Sequence, residues 1–272
     1  LDYSASLMCY DLHRGMLYGW RDYEKVVDAE PKRAIDIMRF DMNTGEMQLL
    51  LSVETTEANS QPSLFFFGDY VYYCYDTWIA EYDPETEELL SGEGTLWVGR
   101  IDTVTLENEL LFRQTKDGGF GSGFTLWVES EDRIYLVPGA PVLNEEGSNV
   151  YLLSGGELSI VHTFGGMGAA FVVDGGAVMF YPAESHMEIW SFDGAEIYNG
   201  EWQTEFEDEN GDKYTVTNLD TPYGDMNTLY FIYTLRKQGA GAGSWMPFGL
   251  VRYDMTQGEL QPELLIISPD VK

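Results

Sequence analysis

GAAFVVDGGAVMFYPAESHMEIWSFDGAEIYNG, residues Gly168 to Gly200, reads as four short β-prone runs joined by tight turns. Ala169 to Val173 and Ala177 to Tyr181 flank Asp174, Gly175 and Gly176, and Met187 to Phe192 and Glu196 to Tyr198 flank Asp193 and Gly194. Glycine tolerates φ > 0 and aspartate bonds its own backbone, so each junction is built to reverse the chain. The stretch predicts one antiparallel four-stranded blade. The same plan fits Pro62 to Leu90, with Gly68 and Asp69 as the first turn and Asp83 to Glu85 as the last.

Outward from these stretches, one phrase recurs: an apolar residue, Asp, a short polar turn and a return to apolar sequence. It stands at Cys9 to Tyr18, Arg39 to Leu50, Glu81 to Leu90, Arg100 to Leu111, Ser191 to Tyr198 and Arg252 to Leu264. Ser154 to Leu158 (SGGEL) is a copy without the Asp. Repetition of one hairpin unit with almost no 3.6-residue periodicity predicts an all-β repeat architecture. With about 22 strand-like runs at four per blade, a β-propeller of five or six blades is expected, a two-sheet β-sandwich being the runner-up. The phrase runs almost from end to end, so residues 1–272 are read as a single domain. A strand near the N-terminus is expected to close the ring by pairing with the last blade. Asp22 to Ala34, Thr115 to Phe124 and Arg236 to Trp245 read as excursions or long loops.

The chain has 46 acidic and 15 basic residues, for a formal net charge of −31. Nucleic acid and anionic membrane surfaces are therefore excluded as partners. No run approaches the ~20 apolar residues of a membrane helix. The chain starts at Leu1 without an initiator Met, as a mature or trimmed form would, and an extracytoplasmic home (secreted or lipid-anchored) is expected. Cys9 and Cys74 both lie in strand-like contexts. Buried free thiols are the ordinary outcome for such a pair, with a disulfide between them as the alternative in an exported protein.

The phrase Y-D-x-x-T-G-E resembles the strand-turn-strand unit of quinoprotein-like and related bacterial β-propeller repeats. It is carried by Phe40-Asp41 with Thr44-Gly45-Glu46, by Tyr82-Asp83 with Thr86-Glu87-Glu88, and by Tyr253-Asp254 with Gly258-Glu259. The resemblance implies a propeller fold. In quinoprotein repeats a Trp follows the hairpin, whereas Leu50 and Leu90 stand at the matching positions here. No cofactor is expected.

The phrase aspartates are turn-makers, because Asp at the start of a tight turn accepts backbone N–H groups. His13, His162 and His186 are the only histidines and no nucleophile-elbow or zinc motif accompanies them, so no catalytic or metal residue is assigned. Glu207 to Tyr214 (EDENGDKY) alternates Asp208, Asn210 and Asp212 as a calcium loop would. Lys213 nevertheless replaces the loop's Gly and no bidentate Glu closes it, so Asn210-Gly211 reads as a hairpin turn. Calcium enters only through mutual repulsion of Glu205, Glu207, Asp208, Glu209 and Asp212, which a divalent ion or salt would relieve. Trp97, Trp127 and Trp190 fit packing between blades. Trp202 and Trp245 sit beside acidic or glycine-rich connections and are the expected ligand-face aromatics. The expected function is a non-catalytic binding or scaffold propeller for a protein or glycan. The alternative is a carbohydrate-active hydrolase or lyase with paired carboxylates in the central channel.

Overall fold

The computed structural model describes the chain apart from residues 1–4, 12–13, 28–29, 56–57, 60, 83, 87–88, 141–146, 167, 182–183, 220–221, 242–245, 258–260 and 269–272. It is all-β and of the β-propeller type, with five successive antiparallel sheets among the described residues rather than the two of a sandwich. The chain falls into two compact units, Leu1–Gly165 and Gly166–Lys272.

The first unit holds three sheets. β1 (Ala5–Asp11), β2 (Met16–Val27), β3 (Glu30–Asp41) and β4 (Met47–Thr55) form the first, in chain order. β5 (Ala58–Asn59) and β6 (Ser63–Phe67) both pair with β7 (Tyr70–Tyr82), which is followed by β8 (Leu89–Asp102) and β9 (Asn108–Asp117). β10 (Ser122–Ser130), β11 (Arg133–Ala140), β12 (Gly147–Ser154) and β13 (Glu157–Gly165) complete the unit. The second unit holds β14 (Ala169–Val173), β15 (Gly176–Tyr181), β16 (His186–Ser191) and β17 (Glu196–Glu201). Its other sheet runs β18 (Glu205–Glu207), β19 (Lys213–Leu219), β21 (Thr228–Lys237), β22 (Phe248–Asp254) and β23 (Gln261–Ile267), with the short β20 (Tyr223–Gly224) against β21. Each sheet is drawn from one continuous stretch of chain. Among the described residues β1 pairs with β2 and β23 with β22, and residues 1–4 and 269–272, the two ends where a closing strand was expected, lie outside them.

The predicted blade at Gly168 to Gly200 is present with its turns at Asp174-Gly175 and at residues 192–195. The central strand β15 is buried along its whole length, as a strand covered on both faces must be. β21 alternates buried and half-buried positions from Thr228 to Leu235, placing Leu229, Phe231, Tyr233 and Leu235 in the core of its unit. Asp22 to Ala34 is no excursion, because β2 and β3 pair through it from Met16↔Asp41 to Val27↔Glu30. Ion pairs cross the strands within and beside it, Arg33 with Asp22 and Arg21 with Asp36.

Register shows why the phrase is unevenly spaced. Asp41, Asp102, Asp254, Ser191 and Ser154 are equivalent, each pairing with the start of the strand before it: Met16, Tyr70, Thr228, Gly176 and Arg133. Asp11 instead ends the first hairpin of its sheet, and the Glu81 to Leu90 copy joins the second strand to the third. Six similar phrases thus occupy three different kinds of turn. At the equivalent turns Asp41 Oδ1 accepts the N–H groups of Asn43 (2.7 Å) and Thr44 (3.2 Å), and Asp102 Oδ1 accepts those of Val104 (2.7 Å) and Thr105 (2.8 Å). The next residue extends the ladder: Met42 N–H donates to Gly15 O, Thr103 to Asp69 O, Phe192 to Gly175 O and Met255 to Asn227 O, each at 2.9 Å.

The outer strand of each of the five sheets carries a β-bulge, in four of them at the same register. Ile37 pairs with Leu51 and Met38 with Leu49, so Leu50 is the extra residue. Leu111, Val161 and Leu265 hold the corresponding position in β9, β13 and β23, while Ile197, the extra residue of β17, lies two residues nearer its turn. A bulge bends and twists a strand, and this one recurs on the edges that would otherwise invite pairing with other chains.

Candidate functional site

The acidic stretch singled out in the sequence forms one wall of a groove of about 420 Å³ in the second unit. That wall is residues 207–210, and the facing wall is residues 264–267 of β23. β18 alternates, so Phe206 enters the core while Glu205 and Glu207 face solvent. The turn that follows spans residues 208–212 rather than two residues, with Glu207 pairing Lys213 across it. Asp208 Oδ1 accepts the N–H groups of Asn210 and Asp212, each at 2.9 Å, and Gly211 takes φ 82°. The aspartate thus builds the turn. Partial desolvation raises its pKa, but the amides of Asp212 and Asn210 outweigh this and hold it below the usual carboxylate range.

The other carboxylates diverge. Asp212 is bound by the Lys237 ammonium, Glu207 lies 4.0 Å from Lys213 Nζ, and Glu205 Oε1 accepts Gln238 Nε2 at 3.4 Å. Among the described residues, no three His, Cys, Asp or Glu side chains converge as a metal-ligand set.

Trp202 is not a ligand-face aromatic. It is 8% exposed, stacks on Tyr233 at 5.8 Å and meets Phe180 edge-on at 6.2 Å. The acidic and amide neighbours Glu201, Gln203 and Glu205 gave it an exposed appearance in sequence, but its indole fills the core beneath the groove. Trp245 lies outside the described residues. The groove's apolar wall was missed. Leu264 and Ile267 pack onto the core, while Leu265 is 38% and Ile266 61% exposed. The only sequence signal was the aliphatic run ELLII (Glu263 to Ile267), which also reads as an ordinary strand.

The remaining polar clusters are structural. Asp36, 1% exposed, accepts Arg21 Nε at 2.8 Å and Nη2 at 2.6 Å, and its other oxygen accepts Ser52 Oγ at 2.7 Å. Arg39 Nη1 donates to Thr103 O at 2.8 Å, so the arginine of one phrase copy ties the first sheet to the turn of the second. Arg100, its counterpart, reaches Glu131 in the third sheet at 2.8 Å. His162 packs edge-on to Phe164, His186 Nε2 lies 3.9 Å from Glu188, and His13 is outside the described residues. Cys74 is a free buried thiol whose pKa burial pushes up, and the side chain of Cys9 is outside the described residues. Trp190 is buried, Trp97 is sandwiched between Tyr75 (5.8 Å) and the Arg113 guanidinium (4.2 Å), and half-buried Trp127 leans on Tyr135 at 5.9 Å.

No family model matches the chain and no curated protein does. Among solved structures, it is similar to the β-propeller domain of the trilobed protease from Pyrococcus furiosus, with TM-score 0.47 and 12% identity over 97% of this chain and 84% of that one. It is also similar to an oligogalacturonate lyase in complex with manganese, with TM-score 0.48 and 11% identity over 97% of this chain and 65% of that one. A Pyrococcus horikoshii acylaminoacyl peptidase gives TM-score 0.43 and 12% identity over 91% of this chain, which spans 50% of the peptidase. These likenesses assign neither substrate nor reaction to this chain.

Proposed function

We propose that this chain is a non-catalytic, exported binding propeller of the quinoprotein-like bacterial repeat type. It recognises a protein or a glycan through its loops and outer strands. One observation carries the reading. Asp41, Asp102, Asp208 and Asp225 each accept two backbone N–H groups within their own turns, which engages them in holding the fold and keeps their carboxyls below the usual range. A glycoside hydrolase needs an acid displaced upward, in a site that withholds solvent. The acidic and aliphatic walls of the 207–210 groove suit contact with a partner better than bond cleavage. Cations act on residues 205–212 through the charge they screen, and no cofactor is required.

Incubation with a panel of neutral and acidic polysaccharides tests this reading. No reducing ends or unsaturated products are expected. Turnover that disappears on replacing a carboxylate would overturn the proposal in favour of the carbohydrate-active alternative.

A further inference from the structure

We infer that the groove between the 208–212 turn and β23 receives a cationic, aliphatic segment of a partner protein in extended conformation. This rests on the binding reading above and names the partner class for that site. The bulge at Leu265 sets up the apolar wall. In a regular strand, residues 264 and 266 share one face and 265 and 267 the other. Here Leu264 and Ile267 both pack on the core, a phase shift that the extra residue supplies. Leu265 and Ile266 are left adjacent and exposed.

The facing wall supplies the charge. Asp208 is engaged by its own turn, which leaves Glu207 and Glu209 directed to solvent. The Lys213 pairing of Glu207 is long, between side chains 61% and 59% exposed, and such pairs contribute little. Among the described residues, no basic side chain lines the groove. No aromatic residue among those described lines it either, which disfavours a sugar ring as occupant. A volume of about 420 Å³ accommodates a few side chains of an extended segment. Lysine or arginine against the glutamates and aliphatic side chains on Ile266 would satisfy both walls.

The probe is an end-capped eight-residue peptide alternating Lys and Val, titrated into the full chain by calorimetry at low salt. Peptides alternating Lys with Ser and Glu with Val serve as comparisons. Binding of the Lys/Val peptide is expected, weakened at least about tenfold by Ile266→Ser and by the double change Glu207→Gln/Glu209→Gln. The controls Ile160→Ser, at the equally exposed bulge of β13, and Glu157→Gln should alter affinity less than about twofold. Unchanged melting temperatures establish that each variant is folded. Absence of binding, equal binding of the Lys/Ser peptide, or indifference to Ile266→Ser would overturn the inference. None of these outcomes would produce polysaccharide turnover, so failure here is distinguishable from failure of the proposed function.

Discussion

Leu106 holds, with φ 64°, the turn position that Gly45 holds with φ 75° one sheet earlier. The two turns superpose bond for bond. Gly45 N–H donates to Asp41 O at 2.8 Å and Leu106 N–H to Asp102 O at 2.9 Å, while Asp41 and Asp102 donate to the carbonyls of Glu46 and Glu107 at 2.9 and 3.0 Å. A left-handed conformation costs a non-glycine residue roughly 1–2 kcal/mol, and glycine gives back roughly 0.5–1 kcal/mol in unfolded-chain entropy. Leu106→Gly is therefore expected to stabilise the protein by about 0.5–1 kcal/mol, a rise of a few degrees in melting temperature. Leu106→Ala keeps the unfavourable φ and should show no such gain. A glycine variant that melts no higher than the wild type would refute the strain.

The blade at Gly168 to Gly200 was legible because its turn residues and alternation agree at every step. The kind of turn each phrase occupies was not, since an Asp that caps its own backbone looks the same in any hairpin. Asp193 illustrates this: the phrase aligned it with Asp41, yet the register gives that place to Ser191, whose Oγ accepts Ala195 N–H at 3.3 Å. The charged hairpin through residues 22–34 was hidden because its ion pairing forms across strands, as between Asp22 and Arg33, which are not neighbours in sequence. The groove was hidden for the same reason. It depends on Glu209 and Ile266 sharing one cavity, a relation no local pattern carries.

Trp78 offers a second test. Its indole lies across the opposing strand, so that a Cβ on Gly92 would stand 2.2 Å from Trp78 Cζ2 and one on Gly119 2.9 Å from Cζ3. The close approach of ring to backbone requires glycine at position 92. Gly92→Ala is expected to destabilise the protein by about 1–3 kcal/mol by forcing the ring away. In the Trp78→Ala background the same change should cost clearly less, because the clash is gone. Equal costs in both backgrounds, measured by urea unfolding, would refute the contact.

Arg100 binds three elements at once. Its Nε donates to Glu109 at 2.7 Å, its Nη1 to Glu131 at 2.8 Å, and its guanidinium lies 4.3 Å from the Tyr70 ring centre. Both glutamates are well exposed, so each pair alone is weak, but the guanidinium itself is largely covered. Lysine keeps the charge and loses the planar fork and the stacking. Arg100→Lys is expected to lower stability by about 1 kcal/mol, with most of the loss persisting in high salt because stacking is not screened. A loss that vanishes entirely at high salt would show that charge alone matters.

The turn aspartates and the net charge of −31 pull the pH dependence in opposite directions. The Asn43 amide holds the Asp41 carboxyl below its ordinary value, the Thr105 and Val104 amides do the same for Asp102, and those of Asn227 and Thr228 for Asp225. A carboxyl depressed in the folded state contributes stability that is fully present above its unfolded pKa, near 4, and is lost as pH falls through the folded value. Self-repulsion acts the other way, since protonating carboxylates on a strongly anionic chain relieves it as pH drops from neutrality. The melting temperature is expected to rise from pH 7 to about pH 5 and to fall below about pH 4. Added sodium chloride should raise it more at pH 7 than at pH 5, where less repulsion remains to be screened. Asp102→Asn should leave the rise intact and flatten the acid fall. A flat profile between pH 7 and 5 at low salt would remove self-repulsion from the account, and an unaltered acid limb in Asp102→Asn would remove the turn.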